Sequence, residues 1–287
     1  IRNGWFSYRW TQIFEMGHIS DKLHVITSAP VVEAFEQQYA PPAIDEVVAW
    51  IKQHKPAVVF APHVETSAGL ILPPEYLRAV GEAVQAVDGL FVLDCIASGA
   101  MWVDMVDCKV DVLVSAPQKG WSSSPCCALI AMSERARARI ESTTSTSYSC
   151  DLKKWLQVVE TYEKGSHVYH TTMPTDSLRV LRDVMKETQA LGFANLKAKQ
   201  VELGTQVRQL LESKGFKSVA APGFQAPCVV VSYTQDPDIQ NGKKFIALGM
   251  QTAAGVPLQV GERADLDRKS TRLNSSHVSE SRMPSSA

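Results

Sequence analysis

The chain has 287 residues, 45% of them apolar and 21% charged, with a formal net charge of −1. That balance belongs to an ordinary globular protein long enough for two domains, and no block of like charge offers a surface for nucleic acid or membrane. No stretch approaches a transmembrane helix. Six cysteines (Cys95, Cys108, Cys126, Cys127, Cys150 and Cys228) without a CxxC pair make neither a disulfide framework nor a zinc ribbon, so a reducing cytoplasm is the expected compartment.

The chain opens on an aromatic-dense turn, Asn3 to Trp10, followed by an expected helix from Thr11 to Met16 and a weak strand from Leu23 to Ile26. After Pro41-Pro42, residues Ile44 to His54 carry Ile44, Val47, Val48 and Ile51 on one helical stripe. Lys55-Pro56 ends that helix and introduces a buried strand, Ala57 to Pro62, which empties into the polar run His63-Val-Glu-Thr-Ser-Ala-Gly69. A helix begins behind Pro73-Pro74 and runs to Ala86, since proline is well tolerated in a first turn. The apolar strand Gly89 to Asp94 ends in a carboxylate, and the run from Val110 to Gly120 ends in Lys119.

Strand, helix, strand, crossover and strand again is the pattern of a mostly parallel sheet with helices on both faces. Right-handed crossovers bring His63, Asp94 and Lys119 to one edge of such a sheet, where ligands of open α/β folds sit. Taken alone, Lys119 reads equally as a surface lysine in a turn. Beyond it, Cys126 to Met132 reads as another strand, Ser133 as the cap of a short basic helix, and Asp151 to Glu163 as a helix leading to the polar cluster His167 to Pro174. From Thr175 the texture changes to two long helices (Asp176 to Ala190 and Phe193 to Lys214), a strand at Val229 to Tyr233 and a helix from Ile239 to Leu248. The expected organisation is a large domain over 1–175 and a smaller α+β domain over 176–267. The serine-rich segment 268–287 resembles translated adapter sequence and is expected to stay outside the fold, without regular structure.

A lysine and an aspartate from neighbouring strand ends, with an aromatic nearby, suit pyridoxal phosphate: the amine binds the aldehyde, the carboxylate keeps the pyridine nitrogen protonated, and the freed lysine carries a proton. The runs NGWFSYRW, HVETSAG, FVLDCIAS, SAPQKGW and YHTTMP, in that order, resemble the class V aminotransferases of the fold-type I pyridoxal phosphate enzymes, nearest the alanine:glyoxylate and serine:glyoxylate group. The resemblance implies that Lys119 is the Schiff-base lysine, Asp94 the partner of the pyridine nitrogen and Phe6 the ring-stacking aromatic. It places Thr66 near the phenolic oxygen and Gln118 in the cofactor site. Tyr169 and Thr172 would reach the cofactor phosphate of a neighbouring subunit, which implies a homodimer with shared sites. The implied reaction moves an amino group from a small amino acid, alanine or serine, to a 2-oxo acid such as glyoxylate or pyruvate.

The family's glycine-bearing phosphate loop is expected upstream of Ile1 and its carboxylate-binding arginine downstream of Asp267, so the chain as it stands is expected to bind cofactor weakly. The alternatives are an inactive fragment or a lyase of the cysteine desulfurase type. Against the lyase, the residue before Lys119 is Gln118 rather than histidine, and Cys126-Cys127 read as the start of a strand. His63, His167 and His170 share no spacing with a thiolate or carboxylate, so no metal site is expected. Gly223, Pro227 and Gly255 read as turn residues, and no dinucleotide or P-loop motif is present.

Overall fold

A computed structural model describes residues 1–32, 36–254, 256–261 and 271–276; the turn expected at Gly255 lies outside them. Near the N-terminus, β1 (Ala29–Pro30) and β2 (Tyr39–Ala40) form a short antiparallel pair of their own. The central sheet has four strands, β3 (Val58–Pro62), β6 (Leu90–Asp94), β7 (Val112–Ser115) and β8 (Leu129–Met132), in that spatial order. The first two pairings are parallel, with Pro62 opposite Asp94 and Asp94 opposite Val114. The last, β7 with β8, is antiparallel. Parallel strands need a covering crossover, whereas the loop from Ala116 to Ala128 simply turns the chain back.

One crossover is the expected helix, α3 (Pro74–Ala86) between β3 and β6, with α2 (Ile44–His54) leading into β3; the other, residues 95–111 between β6 and β7, is made of turns. α2 buries Val47 and Ile51 from its apolar stripe and ends at Lys55, whose left-handed φ of 48° precedes Pro56. α3 has proline at its start and buries Leu77, Val80 and Val84. Together with Ala61, Phe91 and Leu93 these residues form the first core, between α2–α3 and one face of the sheet. The helix can approach so closely because Gly81 has no side chain: a Cβ there would lie 2.5 Å from the carbonyl oxygen of Cys108. Strand alternation turns Phe60 to the other face, where Trp10 and Phe14 of α1 (Trp5–Met16) pack on it at ring separations of 4.7 and 5.1 Å.

Asp111, before β7, ties the sheet to the helix behind β8. Its buried carboxylate accepts the Phe91 N–H at 3.0 Å and the Ser133 hydroxyl at 2.8 Å, and pairs with Arg135 at 3.1 Å. Ser133 also caps that helix, α4 (Glu134–Glu141), as its sequence position predicts, and Asp151 caps α5 (Leu152–Glu163).

α6 (Thr175–Leu191) and α7 (Phe193–Ser213) lead to β9 (Val229–Thr234), buried along its whole length. Around it a second core draws on both sides of residue 175. The hairpin β4 (Val64–Glu65) and β5 (Leu70–Ile71) contributes Val64, Leu70 and Ile71, and these meet Val219, Val229, Val231 and Leu258.

Several sequence expectations are corrected. The strand at Leu23 to Ile26 is absent; a single parallel bridge joins Arg2 to Thr27 instead. The helix from Ile239 to Leu248 is two short ones, α8 (Pro237–Gln240) and α9 (Lys243–Ile246), because Gly242 takes a φ of 79° between them. Cys126 and Cys127 precede β8 rather than begin it. Within the segment expected to lack structure, Thr271–Ser276 forms β11, antiparallel to β9 on one side and to β10 (Ala253–Ala254) on the other; the rest of 268–287 lies outside the described residues. A sheet edge pairs through backbone N–H and C=O groups, which any extended segment supplies.

Candidate active site

The three strand ends named by the sequence meet at one edge of the central sheet. His63 follows β3, and its N–H donates to the Asp94 carbonyl at 2.8 Å. Asp94 is the last residue of β6. Lys119 lies past β7 in a turn where its carbonyl accepts the Ser122 N–H at 2.9 Å. That turn is seated directly on the loop after Asp94: a Cβ at Gly120 would come within 2.5 Å of the Gly99 carbonyl oxygen. Small residues at both positions are what bring the lysine loop and the aspartate loop together.

Asp94 Oδ1 accepts the Ile96 N–H at 3.0 Å and Oδ2 accepts the Trp10 indole N–H at 3.1 Å. Burial raises its proton affinity above the usual carboxylate range, and the two donors offset that only in part. The folded chain therefore holds this proton more tightly than the unfolded chain. The stability it contributes is present at low pH and is lost as pH rises from the unfolded value through the folded one. Asp94→Asn removes the desolvated charge but turns its NH2 toward one of the two N–H donors, a cost that does not vary with pH. In thermal unfolding without cofactor its stability relative to the parent should therefore improve as pH rises from about 4 to about 7.

His63 is buried, and its Nδ1 lies 2.7 Å from the Ser98 hydroxyl. Burial, with the charge of Lys197 adding to it, pushes the imidazole down to about 3, so it is neutral near pH 7. Because the folded value lies below the unfolded one, the associated stability is present above about 6.5 and is lost as pH falls toward about 3, by roughly 5 kcal/mol at most. His63→Gln should flatten the acid limb of the unfolding profile in that window.

The aromatic segment at the N-terminus is helical from Trp5, earlier than its sequence predicts, and so Phe6 sits in the first turn of α1. The cause is a distant carboxylate. Glu65, fully buried, accepts the backbone N–H of Phe6 at 3.2 Å and of Ser7 at 2.9 Å, and the Ser7 hydroxyl at 2.6 Å. Its other donors come from Ser67, through the backbone N–H at 3.1 Å and the hydroxyl at 2.8 Å. Ser67 Oγ also takes the Trp5 N–H at 3.0 Å. A carboxylate at a helix N-terminus satisfies orphan N–H groups and complements the helix dipole. Glu65 and Ser67 thus fix the helix that presents both Phe6 and Trp10. The sequence contains the pair inside HVETSAG, but nothing local signals a partner some sixty positions upstream.

Phe6 is half-buried, with the Arg9 guanidinium 4.9 Å from its ring centroid and Trp5 edge-on at 5.0 Å. Thr66 is half-buried in the β4–β5 turn, between the two capping residues, and Gln118 is exposed beside Lys119. Tyr169 and Thr172 are exposed and face each other, with their hydroxyls 3.4 Å apart. The structure gives this pair no bond to Asp94 or to the Lys119 turn. His170 Nε2 lies 3.0 Å from the Tyr148 carbonyl oxygen, and among the described residues no three His, Cys, Asp or Glu side chains gather to hold a metal ion. A cavity of about 1040 Å³ lies between α1, residues 19–26, the end of α2 and β3. Neither Asp94 nor Lys119 lines it; Trp10, whose indole reaches Asp94, does.

The rat alanine–glyoxylate aminotransferase is 28% identical over 190 residues, 65% of this chain and 45% of that protein. The L-aspartate–glyoxylate aminotransferase of Paracoccus denitrificans is 24% identical over 280 residues, 92% of this chain and 66% of that protein. The chain thus spans about half the length of the mammalian relatives it matches. Among solved structures, the alanine–glyoxylate aminotransferase of Nostoc sp. superposes with a TM-score of 0.76 at 22% identity, over 94% of this chain and 67% of that one, which shows a shared fold. No described helix is long and apolar enough to cross a membrane. The aminotransferase class-V family matches residues 23–240, a stretch that contains Thr66, Asp94, Gln118, Lys119, Tyr169 and Thr172. The chain therefore belongs to the class-V aminotransferases.

Proposed function

We propose that the protein is a pyridoxal-phosphate-dependent aminotransferase that moves an amino group from a small amino acid, alanine or serine, to a 2-oxo acid such as glyoxylate or pyruvate. The observation that carries this reading is the seating of the Lys119 turn on the loop that follows Asp94. The donor set suits the cofactor: a primary amine, a buried carboxylate that already draws N–H donors, a hydroxyl at Thr66 and an aromatic face at Phe6. A protonated ring nitrogen is a donor of the kind the Asp94 carboxylate accepts, and its positive charge would lower the cost of that buried anion.

When bound, the cofactor supplies an electron sink for the pair left behind as the substrate Cα–H bond breaks. The chain's own residues do the rest. Asp94 would hold the ring nitrogen protonated, and Phe6, fixed by the Glu65 cap, would hold the ring plane. Gln118 adds a polar contact beside the lysine. Lys119 Nζ would hold the cofactor's aldehyde, and its amine, when free, would accept the substrate α-proton and give it back.

The exposed Tyr169–Thr172 pair fits a phosphate contact made to a neighbouring subunit, so the working form is a homodimer with shared sites. Six free thiols among the described residues fit a reducing compartment such as the cytoplasm. An amino-donor screen with glyoxylate and pyruvate tests the reading. Pyruvate from alanine or hydroxypyruvate from serine is the expected product. Sulfide release from cysteine, without keto acid formation, would replace it with the desulfurase alternative.

A further inference from the structure

The loop between β7 and β8 carries a second chemical group that transamination leaves unused. Cys126 and Cys127 are free thiols, the first half-buried and the second exposed. The Cys126 S–H points at the Cys127 sulfur, 3.7 Å away. Neighbouring side chains of an extended strand diverge to opposite faces. These two converge because they precede β8, in a loop held at its other end by the Ser122 N–H on Lys119 O and the Ser123 N–H on Pro117 O.

We propose that Cys126 and Cys127 form a vicinal dithiol site for a soft, thiophilic trivalent metalloid, an organoarsenical being the type ligand. Sulfur donors select soft acceptors. A structural zinc ion needs four ligands, and among the described residues no third His, Cys, Asp or Glu joins the pair. An arsenical of the form R–As=O brings its own third substituent and needs only two sulfurs. Each S–H gives its proton to the arsenical oxygen as an As–S bond forms, and that oxygen leaves as one water. Neither arsenic nor sulfur changes oxidation state, so the step requires no oxidant or reductant. Burial and the bond from Cys126 push the Cys127 thiol up to about 11. It therefore stays protonated near neutral pH and gives up its proton only as the As–S bond forms. Closing the second bond is intramolecular, and that sets the pair apart from the exposed single thiol of Cys150.

The test is a titration of the full chain with phenylarsine oxide, read by intact mass after washing with excess monothiol and again after 2,3-dimercaptopropanol. One adduct per chain should survive the monothiol and be released by the dithiol. Binding should weaken on the order of a hundredfold in either Cys126→Ser or Cys127→Ser and be unchanged in Cys150→Ser. Peptide mapping of the unmodified sequence requires no variant to fold, and it should place the adduct on residues 126–127. The absence of a monothiol-resistant adduct would overturn the proposal, as would its placement on Cys95, Cys108, Cys150 or Cys228 or its retention in both serine variants.

Discussion

Lys119→Arg is expected to lower kcat for transamination by about a thousandfold or more, the scale of losing a positioned nucleophile and proton carrier together. Arginine keeps the positive charge and a long stem, but its guanidinium stays protonated at any working pH and offers no free amine. The fold should tolerate the change. Lys119 is half-buried in a turn closed by a hydrogen bond to its backbone carbonyl, which arginine retains. The thermal midpoint without cofactor should therefore match that of the parent chain. A second readout is independent of turnover. Incubation with pyridoxal phosphate followed by borohydride should fix the cofactor's mass on the peptide that contains Lys119 in the parent chain and not in the variant. Parent-like activity in Lys119→Arg, or the label fixed on a different lysine, would remove Lys119 from the role proposed for it.

Glu65→Ala is expected to be the most destabilising single change near the site, by about 3–5 kcal/mol, because it strands buried donors that now share one carboxylate. The donors are the N–H groups of Phe6, Ser7 and Ser67 and the hydroxyls of Ser7 and Ser67. Glu65→Gln preserves the shape and one acceptor but turns an NH2 group toward other donors, so it should fall between, at roughly 1–3 kcal/mol. Chemical denaturation gives both values. The functional consequence is separate from stability. Frayed at its first turn, α1 no longer fixes Phe6 or carries Trp10 to Asp94, so cofactor affinity should fall even in Glu65→Gln at temperatures where that variant is folded. If Glu65→Gln weakens neither stability nor cofactor binding, the cap is incidental to the site.

How far the site could be read from the sequence depends on the range over which each residue is determined. The placement of Asp94 at the end of one strand and of the Lys119 turn past the end of the next was legible because short apolar runs closed by polar residues mark strand ends, and strand order places those ends on one edge. α2 was legible to its boundaries, since an i, i+3, i+4, i+7 stripe and the Lys55-Pro56 stop are both local signals. The start of α1 was not, because its cap comes from Glu65 and Ser67, far along the chain. The direction of β8 was hidden for a related reason: a polar linker of moderate length can either cross over or turn back, and only the pairing of Ser115 with Leu129 decides.

Periodicity, proline and glycine placement and the five motifs by themselves determined the class of fold, the order of its elements and the identity of the polar residues at the strand ends. Those are short-range properties, set within a few turns of helix or one strand. Only the tertiary structure decided which distant groups meet. Examples are the Glu65 carboxylate on the first turn of α1, the Trp10 indole on Asp94, Gly120 against Gly99, and a second core built from both sides of residue 175. The physical reason is that burial gives these contacts their strength, since a carboxylate withdrawn from water must find donors wherever the chain can supply them. Sequence separation has no bearing on that requirement.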